Sequence, residues 1–433
     1  MAMNKRYMVT MKGSCSCSMP GVWCAVAHNE GAVVIFHSPK ACGHVSRDME
    51  LGSHYHSIAR QRFISKQYTA PLITSNLQEE HSIFGGTDQL KQCIDYVVER
   101  YRPTYIMLAN SCVAGVIGDD TQAIAKEAEE EWNIPVMTVP CSGFLDGEYY
   151  AGFYYGAKVL IDRFMKKQGR LANTVTLLGT HGGPNGTDAQ EIQQLLESFG
   201  LQVHCHFPGY ASLEDICRVP TSELCIPLGG GRSKSSYSMR QLASDIQVKF
   251  GVPFLDHEYP VGWRGIQSWI REIGKSLGQE REAELVVIEQ SARLQQQAAR
   301  CRADLQAIKV VVCIGRPLLH FQPEWVMELL DLVGASIEGI VLFSGLTEEQ
   351  KEAMEQELKK HTVVPIFEEG TGETILEAAD ILMTTHELED ESKRQFLLPV
   401  LPPLGVGGLI QQLNKLARLA RRSEGKGGVL YGW

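Results

Sequence analysis

The chain has 433 residues, 44% of them apolar and 21% charged, with a formal net charge of -10. That length exceeds what a single hydrophobic core organises, and the acidic balance excludes a general nucleic-acid or anionic-membrane surface, which needs clustered basic charge. Twelve cysteines, behind a polar opening stretch with no apolar secretory core, point to a cytoplasmic protein with reduced thiols or metal ligands in place of a disulfide framework.

Apolar, β-rich runs alternate with amphipathic stretches along the chain. Strands are expected at Ala32–His37, Ala70–Ser75, Thr104–Ala109 and Ile134–Val139, with helices at Asp88–Arg100 and Thr121–Trp132. A second group places strands at Thr174–Leu178, Leu201–Phe207 and Glu223–Leu228, and helices at Ala189–Ser198 and Tyr237–Phe250. Gly265–Ala307 reads as one or two long helices interrupted at Gly274 and Gly278, its polar QQQAARCRADLQ end facing solvent or another domain. A third group has strands at Ile308–Ile314, Ile337–Phe343, Thr362–Phe367 and Ala379–Met383. The longest apolar stretch, Phe396 to Ile410, carries three prolines and three glycines and is no membrane span. Such alternation is the mark of parallel βαβ units, whose crossovers need a dozen or more residues. The sum is an α/β protein of three Rossmann-like doubly wound domains with mostly parallel sheets, over residues 1–168, 169–305 and 306–433.

Three cysteines stand at strand ends or turns in roughly the first quarter of the chain. Cys17 opens CSMPG, Cys42 sits in SPKACGH 25 residues later, and Cys112 lies in LANSCVAGVIGDD. Cys42 follows the strand Ala32–His37 and Cys112 follows Thr104–Ala109, and open α/β sheets carry their sites at the carboxyl ends of strands. Gly43 and Gly118 are expected to let the backbone turn tightly beside them. Three thiolates there would be three ligands of an iron–sulfur cluster, with a fourth from elsewhere. The residues alone allow three packed thiols just as well, since cysteine is often a small buried hydrophobe.

Downstream of Cys42, His54, His56, Arg60 and Arg62 form a polar group. Either histidine is a candidate proton donor, as imidazole delivers protons near neutral pH; an ordinary surface helix start reads equally well. The loop LGGGRSKSS lacks the Gly before Lys that a phosphate loop requires, so no nucleotide site is assigned to it. GTHGGPNGTD reads as a structural turn, its glycine spacing being wrong for a dinucleotide site.

Several segments carry a family resemblance in the same order: CSMPG with SPKACGH, ITSNLQEEHSIFGG at Ile73–Gly86, NSCVAGVIGDD at Asn110–Asp120, IPVMTVPCSGF at Ile134–Phe144 and TVTLLGTHGGPNGTDAQEI at Thr174–Ile192. They resemble component 1 of the nitrogenase family and its relatives, the dark-operative protochlorophyllide reductase among them. The resemblance implies that Cys17, Cys42 and Cys112 bind an iron–sulfur cluster, 4Fe-4S or P-cluster-like, shared with a homologous subunit in a homodimer or an α2β2 heterotetramer. Cys24 competes with Cys17, which the spacing to Cys42 favours; Cys15 is a spare thiol or alternative ligand, and Cys141 falls near the cluster. Cys93, Cys205, Cys217, Cys301 and Cys313 read as packing residues, and Cys225 lies inside a strand. His54 and His56 fall on a segment that lines the interior in such relatives.

The departures narrow the function. Nitrogenase catalytic subunits hold their large cofactor with a cysteine and a histidine; the matching stretches, Leu228–Ser236 and LLPVLPPLGVGG, contain neither. Dinitrogen reduction by this chain is therefore not expected. The expected function is a subunit of a nitrogenase-like reductase that accepts electrons from an ATP-dependent Fe protein-like partner and reduces an organic or tetrapyrrole-like small molecule. The alternatives are a scaffold for assembly of a metal cofactor and the non-catalytic partner subunit of such a reductase.

Overall fold

The run AVVIFH is apolar up to its closing histidine because both faces of its strand are covered: every residue of β1 (Ala32–His37) is buried. The computed structural model describes residues 17–48, 69–145, 148–179, 183–184, 186–228, 234–257, 260–315, 323–390, 392–399, 404–423 and 428–431. His54, His56, Arg60 and Arg62 lie outside the described residues, as do Cys15 and most of the loop before Lys234. Two compact units emerge, one from Ser14–Gly229 with Lys234–Asp256, the other centred on His257–Trp433.

In the first unit, α1 (Met19–Val26), β1, α2 (40–48), β2 (Leu72–Thr74), α3 (His81–Phe84), α4 (Thr87–Tyr101), β3 (Tyr105–Asn110), α5 (Cys112–Ile117), α6 (Thr121–Trp132), β4 (Val136–Ser142) and α7 (Tyr149–Phe164) follow in order. The strands form a parallel sheet, β2-β1-β3-β4. Side chains alternate between its faces. Val34, Phe36, Met107, Ala109 and Val139 join the core that includes α1 and α7, while Val33, Ile35, Ile106, Leu108 and Val136 pack with α4 and α6. Both faces are thus helix-covered, as the α/β reading expects.

A second parallel sheet, β6-β5-β7, is built from β5 (Thr174–Leu178), β6 (Gln202–Phe207) and β7 (Leu224–Pro227), with helices α8 (Thr187–Glu197), α9 (Leu213–Arg218) and α10 (Lys234–Phe250) between and after them. On β6, burial lowers the His206 pKa from 6.5 to about 4. Below pH 6.5 the unfolded chain takes up a proton that the folded strand refuses. This contribution is therefore complete above that pH and lost as pH falls toward 4. At about 1.4 kcal/mol per unit, the loss is expected to be about 2–3 kcal/mol at pH 4.5 relative to pH 7. Urea unfolding of wild type and His206→Gln at both pH values checks this; a difference between the two proteins that does not change with pH would refute it.

The second unit opens with α11 (Gly262–Leu277) and α12 (Glu280–Leu305). Gly278, left-handed at φ +66°, ends α11, as the sequence suggests. Gly274 does not interrupt the helix. It lies inside α11, where a Cβ would come within 2.5 Å of the Ala283 Cβ on α12, so its role is close helix approach. Along the polar end of α12, only the seam Leu294, Ala298, Cys301 and Leu305 is buried. Then come β8 (Lys309–Ile314), α13 (Pro323–Val333), β9 (Ser336–Leu342), α14 (Glu348–His361), β10 (Ile366–Glu368), α15 (Glu373–Ala378), β11 (Ile381–Thr384), β12 (Arg394–Leu397), α16 (Gly405–Ala420) and β13 (Gly428–Tyr431). Their six strands make one parallel sheet ordered β10-β9-β8-β11-β12-β13. Among the described residues, no helix is long and apolar enough to cross a membrane.

Candidate functional site

The three sequence-selected cysteines converge on the carboxyl edge of the first sheet. Chain leaving β1 passes Ser38 and Pro39 and enters α2, with Cys42 in its first turn; the Cys42 N–H donates to the Pro39 carbonyl at 3.2 Å. Chain leaving β3 enters α5, whose first residue is Cys112 and whose N-cap is Ser111. Ser111 couples the two strand ends. Its backbone N–H and its Oγ both donate to the His37 carbonyl, at 3.1 and 3.0 Å, while Oγ accepts the Ala114 N–H at 3.2 Å.

Cys17 reaches the same edge through β4. That strand carries two extra residues opposite β3: Val139 pairs with Ala109, but Ser142 pairs with Asn110, so Pro140 and Cys141 bulge out of the ladder. Proline cannot donate to a ladder and a bulge bends its strand, which aims the chain at Gly143. Gly143, at φ +60°, accepts both the Ser18 N–H (3.2 Å) and the Ser18 Oγ (3.0 Å) on its carbonyl. A Cβ there would stand 2.8 Å from the Cys112 backbone nitrogen. Gly143 is therefore wedged between the residue that follows Cys17 and the one that carries Cys112.

Behind this edge lies a buried polar pair that sequence reasoning does not reveal. His37, fully buried at the end of β1, holds Ser75 Oγ on Nδ1 and Asp119 Oδ2 on Nε2, both at 2.9 Å. Burial lowers its pKa against the opposing pull of Asp119. Asp119 also accepts the Gly86 N–H at 3.0 Å, tying the loop after α5 to the start of α4. The partners stand 82 residues apart, so no local pattern announces them. Ser18 and Ser111 do carry a signal, each being a hydroxyl residue immediately before a helix.

Gly118 is left-handed at φ +82° and ends α5 as expected. Gly43 does not turn the chain. It lies within α2, where a Cβ would meet the Thr74 methyl at 2.7 Å, so it permits close packing of α2 on β2. Losing the Ser111 hydroxyl removes a helix cap and a buried bond, about 1 kcal/mol each. Ser111→Ala is expected to lower stability by about 2 kcal/mol in urea titrations, and an unchanged midpoint would show that the backbone N–H alone holds the edge.

The described cysteines are all unbridged. Cys17 and Cys42 are half-buried against the core to which the buried Cys141 belongs. Burial raises the Cys42 thiol above its ordinary value; a hydrogen bond with Ser38 opposes the rise, and the nearby Cys112 sulfur adds to it. Cys225, fully buried in β7, is pushed up to about 12, as is Cys93 on α4. Cys205 and Cys313 are also raised by burial. Those are packing thiols, as expected.

The family model of nitrogenase component 1 type oxidoreductases matches residues 17–404. This chain belongs to that family. Its nitrogenase-type relatives include the iron-molybdenum cofactor biosynthesis protein NifE of Clostridium pasteurianum, 29% identical over 248 residues, 56% of this chain and 52% of the relative. The nitrogenase molybdenum-iron protein alpha chain of Methanosarcina barkeri is 26% identical over 252 residues, 57% and 46% of the two chains. The chain thus aligns with about half the length of these curated relatives. A solved structure of nitrogenase Cp1 superposes with a TM-score of 0.63 at 19% identity, covering 96% of this chain and 91% of that one. At that identity the likeness concerns the fold, an α/β Rossmann-like arrangement.

The donor set fits the iron–sulfur chemistry of a nitrogenase component 1 type protein. Donors around one ion, at metal–sulfur bonds of about 2.3 Å, sit close together. The three sulfurs do not converge to within 4.8 Å of one another, so they are not arranged for a single ion. A cluster presents its irons at separate corners and asks for more widely set thiolates.

Proposed function

We propose that this chain is one subunit of a nitrogenase-like reductase that takes electrons from a separate ATP-hydrolysing iron–sulfur protein, similar to the nitrogenase Fe protein, and reduces an organic or tetrapyrrole-like substrate. The observation that carries the reading is the meeting of the Cys17, Cys42 and Cys112 segments at one sheet edge, joined by Ser18–Gly143 and Ser111–His37 hydrogen bonds. A 4Fe-4S or P-cluster-like group held there supplies one-electron storage and relay. The chain's own residues fix its three thiols on a buried hydrogen-bonded frame.

Three ligands per chain leave the remainder to a homologous subunit, in a homodimer or an α2β2 assembly. An exposed apolar rim supports protein partners at this edge: Phe84 on α3 is 87% exposed, Val116 on α5 77% and Phe144 beside Gly143 64%. Apolar side chains gathered at one exposed edge favour a partner there, where singly scattered ones would not. His54 and His56 remain the proposed proton donors, and residues 1–168 the proposed cluster-ligating domain, followed by domains over 169–305 and 306–433.

Assembly of a metal cofactor for another enzyme is the second reading, favoured by the likeness to a cofactor biosynthesis protein. One anaerobic experiment separates them. The protein is mixed with a Fe protein-like reductase, ATP and candidate organic substrates, and in parallel with a cofactor-free acceptor enzyme. ATP-dependent substrate loss supports the reductase. Iron transfer to the acceptor without substrate loss supports the scaffold and sinks the reductase.

A further inference from the structure

In the second unit three ligating side chains meet on the two helices that flank β9. Glu324 lies in the first turn of α13, and Glu357 and His361 lie one turn apart near the end of α14. His361 Nε2 stands 3.1 Å from Glu324 Oε1 and 3.4 Å from Glu357 Oε1, and the three side chains are 24 to 28% exposed. Among the described residues this is the trio whose ligand atoms all fall within 4.8 Å of one another.

The geometry is poorly explained by an ion pair alone. One imidazole nitrogen offers a single proton, yet two carboxylates are aimed at the same Nε2. Bonds of about 2.0–2.2 Å around a zinc-type ion separate adjacent donors by about 3.0 Å at right angles and about 3.4 Å at tetrahedral angles. The observed separations of 3.1 and 3.4 Å match that interval. Two carboxylates and a neutral imidazole also balance a divalent charge. Lys360 Nζ takes the other oxygen, Oε2, of Glu357 at 2.7 Å, leaving Oε1 for the site. His361 closes the last turn of α14, where the helix carbonyl end favours a cation.

We propose that Glu324, Glu357 and His361 bind a divalent first-row metal ion of the zinc class, with water completing its coordination. This site is independent of the cysteines and of the reductase reading.

The test uses the full-length chain, dialysed against zinc and desalted, with zinc per chain measured by mass spectrometry in wild type, His361→Gln and Glu324→Gln. Thiol-bound zinc is common to all three and cancels. Wild type is expected to retain one more zinc per chain than either variant. Its melting temperature should rise with added zinc where theirs does not, since a ligand bound only by the folded state stabilises it. Zinc-edge anomalous diffraction should place a peak between Nε2 and the two Oε1 atoms. Equal zinc content in wild type and both folded variants, or no peak at that place in zinc-soaked crystals, overturns the proposal. Should one variant fail to fold, the other and the anomalous map decide.

Discussion

Cys42→Ala is expected to strip the cluster iron from the protein while leaving it folded, whereas Cys225→Ala keeps native iron. Cys42 sits in the first turn of α2, half-buried, and its removal takes away one of the three candidate ligand thiols at the sheet edge. Backbone ties at the edge do not involve the Cys42 side chain: Ser111 to His37 and Ser18 to Gly143 persist. The apo variant should therefore keep a native circular-dichroism spectrum. Cys225 is fully buried in β7, in a different sheet, and burial pushes its thiol up to about 12 against the opposing pull of Arg170. Its truncation leaves a small cavity costing on the order of 1 kcal/mol and no lost ligand. Iron and acid-labile sulfide per chain, on protein kept anoxic, read both variants. Native iron in Cys42→Ala removes that residue from the ligand set; iron loss in Cys225→Ala means the alignment is out of register.

What the sequence makes legible follows from burial. β1, β5 and β8 are buried along all or nearly all their length and read as mainly apolar, β-branched runs, and their expected bounds agree with the observed ones to within a residue. The helices α4 and α6 bury one stripe each and show their period. α1 gives no such signal. All of MPGVWCAV except Cys24 is buried, so it has no polar face to set a period, and proline and glycine in eight residues read as a turn. The apolar stretch from Phe396 conceals two elements, the end of β12 and the start of α16, separated by its prolines. Of the site, the three cysteines were legible by spacing and resemblance. Gly143, His37 and Asp119 were not, because their roles exist only across 33 to 125 residues of separation.

Gly152→Ala is expected to weaken the whole first unit and its iron content together. A glycine-to-alanine change inside a helix such as α7 normally stabilises by about 1 kcal/mol. Here the new Cβ would fall on the backbone of Ser18, 2.7 Å from its carbonyl carbon and closer still to the oxygen. Gly21 on α1 faces α7 in the same way, a Cβ there lying 2.8 Å from the Phe153 backbone nitrogen. Contacts with backbone cannot be relieved by a rotamer change, so α1 must move away from α7. Overpacking of this kind costs typically 1–3 kcal/mol or more, and it exceeds the propensity gain. Movement of α1 also pulls Ser18 from the Gly143 carbonyl and carries Cys17 with it, which links a packing defect to loss of a ligand. Gly169→Ala, with nothing within 4 Å of the added Cβ, serves as the control and should stay within about 0.5 kcal/mol of wild type. Urea midpoints and iron per chain, measured on both variants, decide the matter. A Gly152→Ala protein with native stability and native iron would show that the α1–α7 contact is not what positions Cys17.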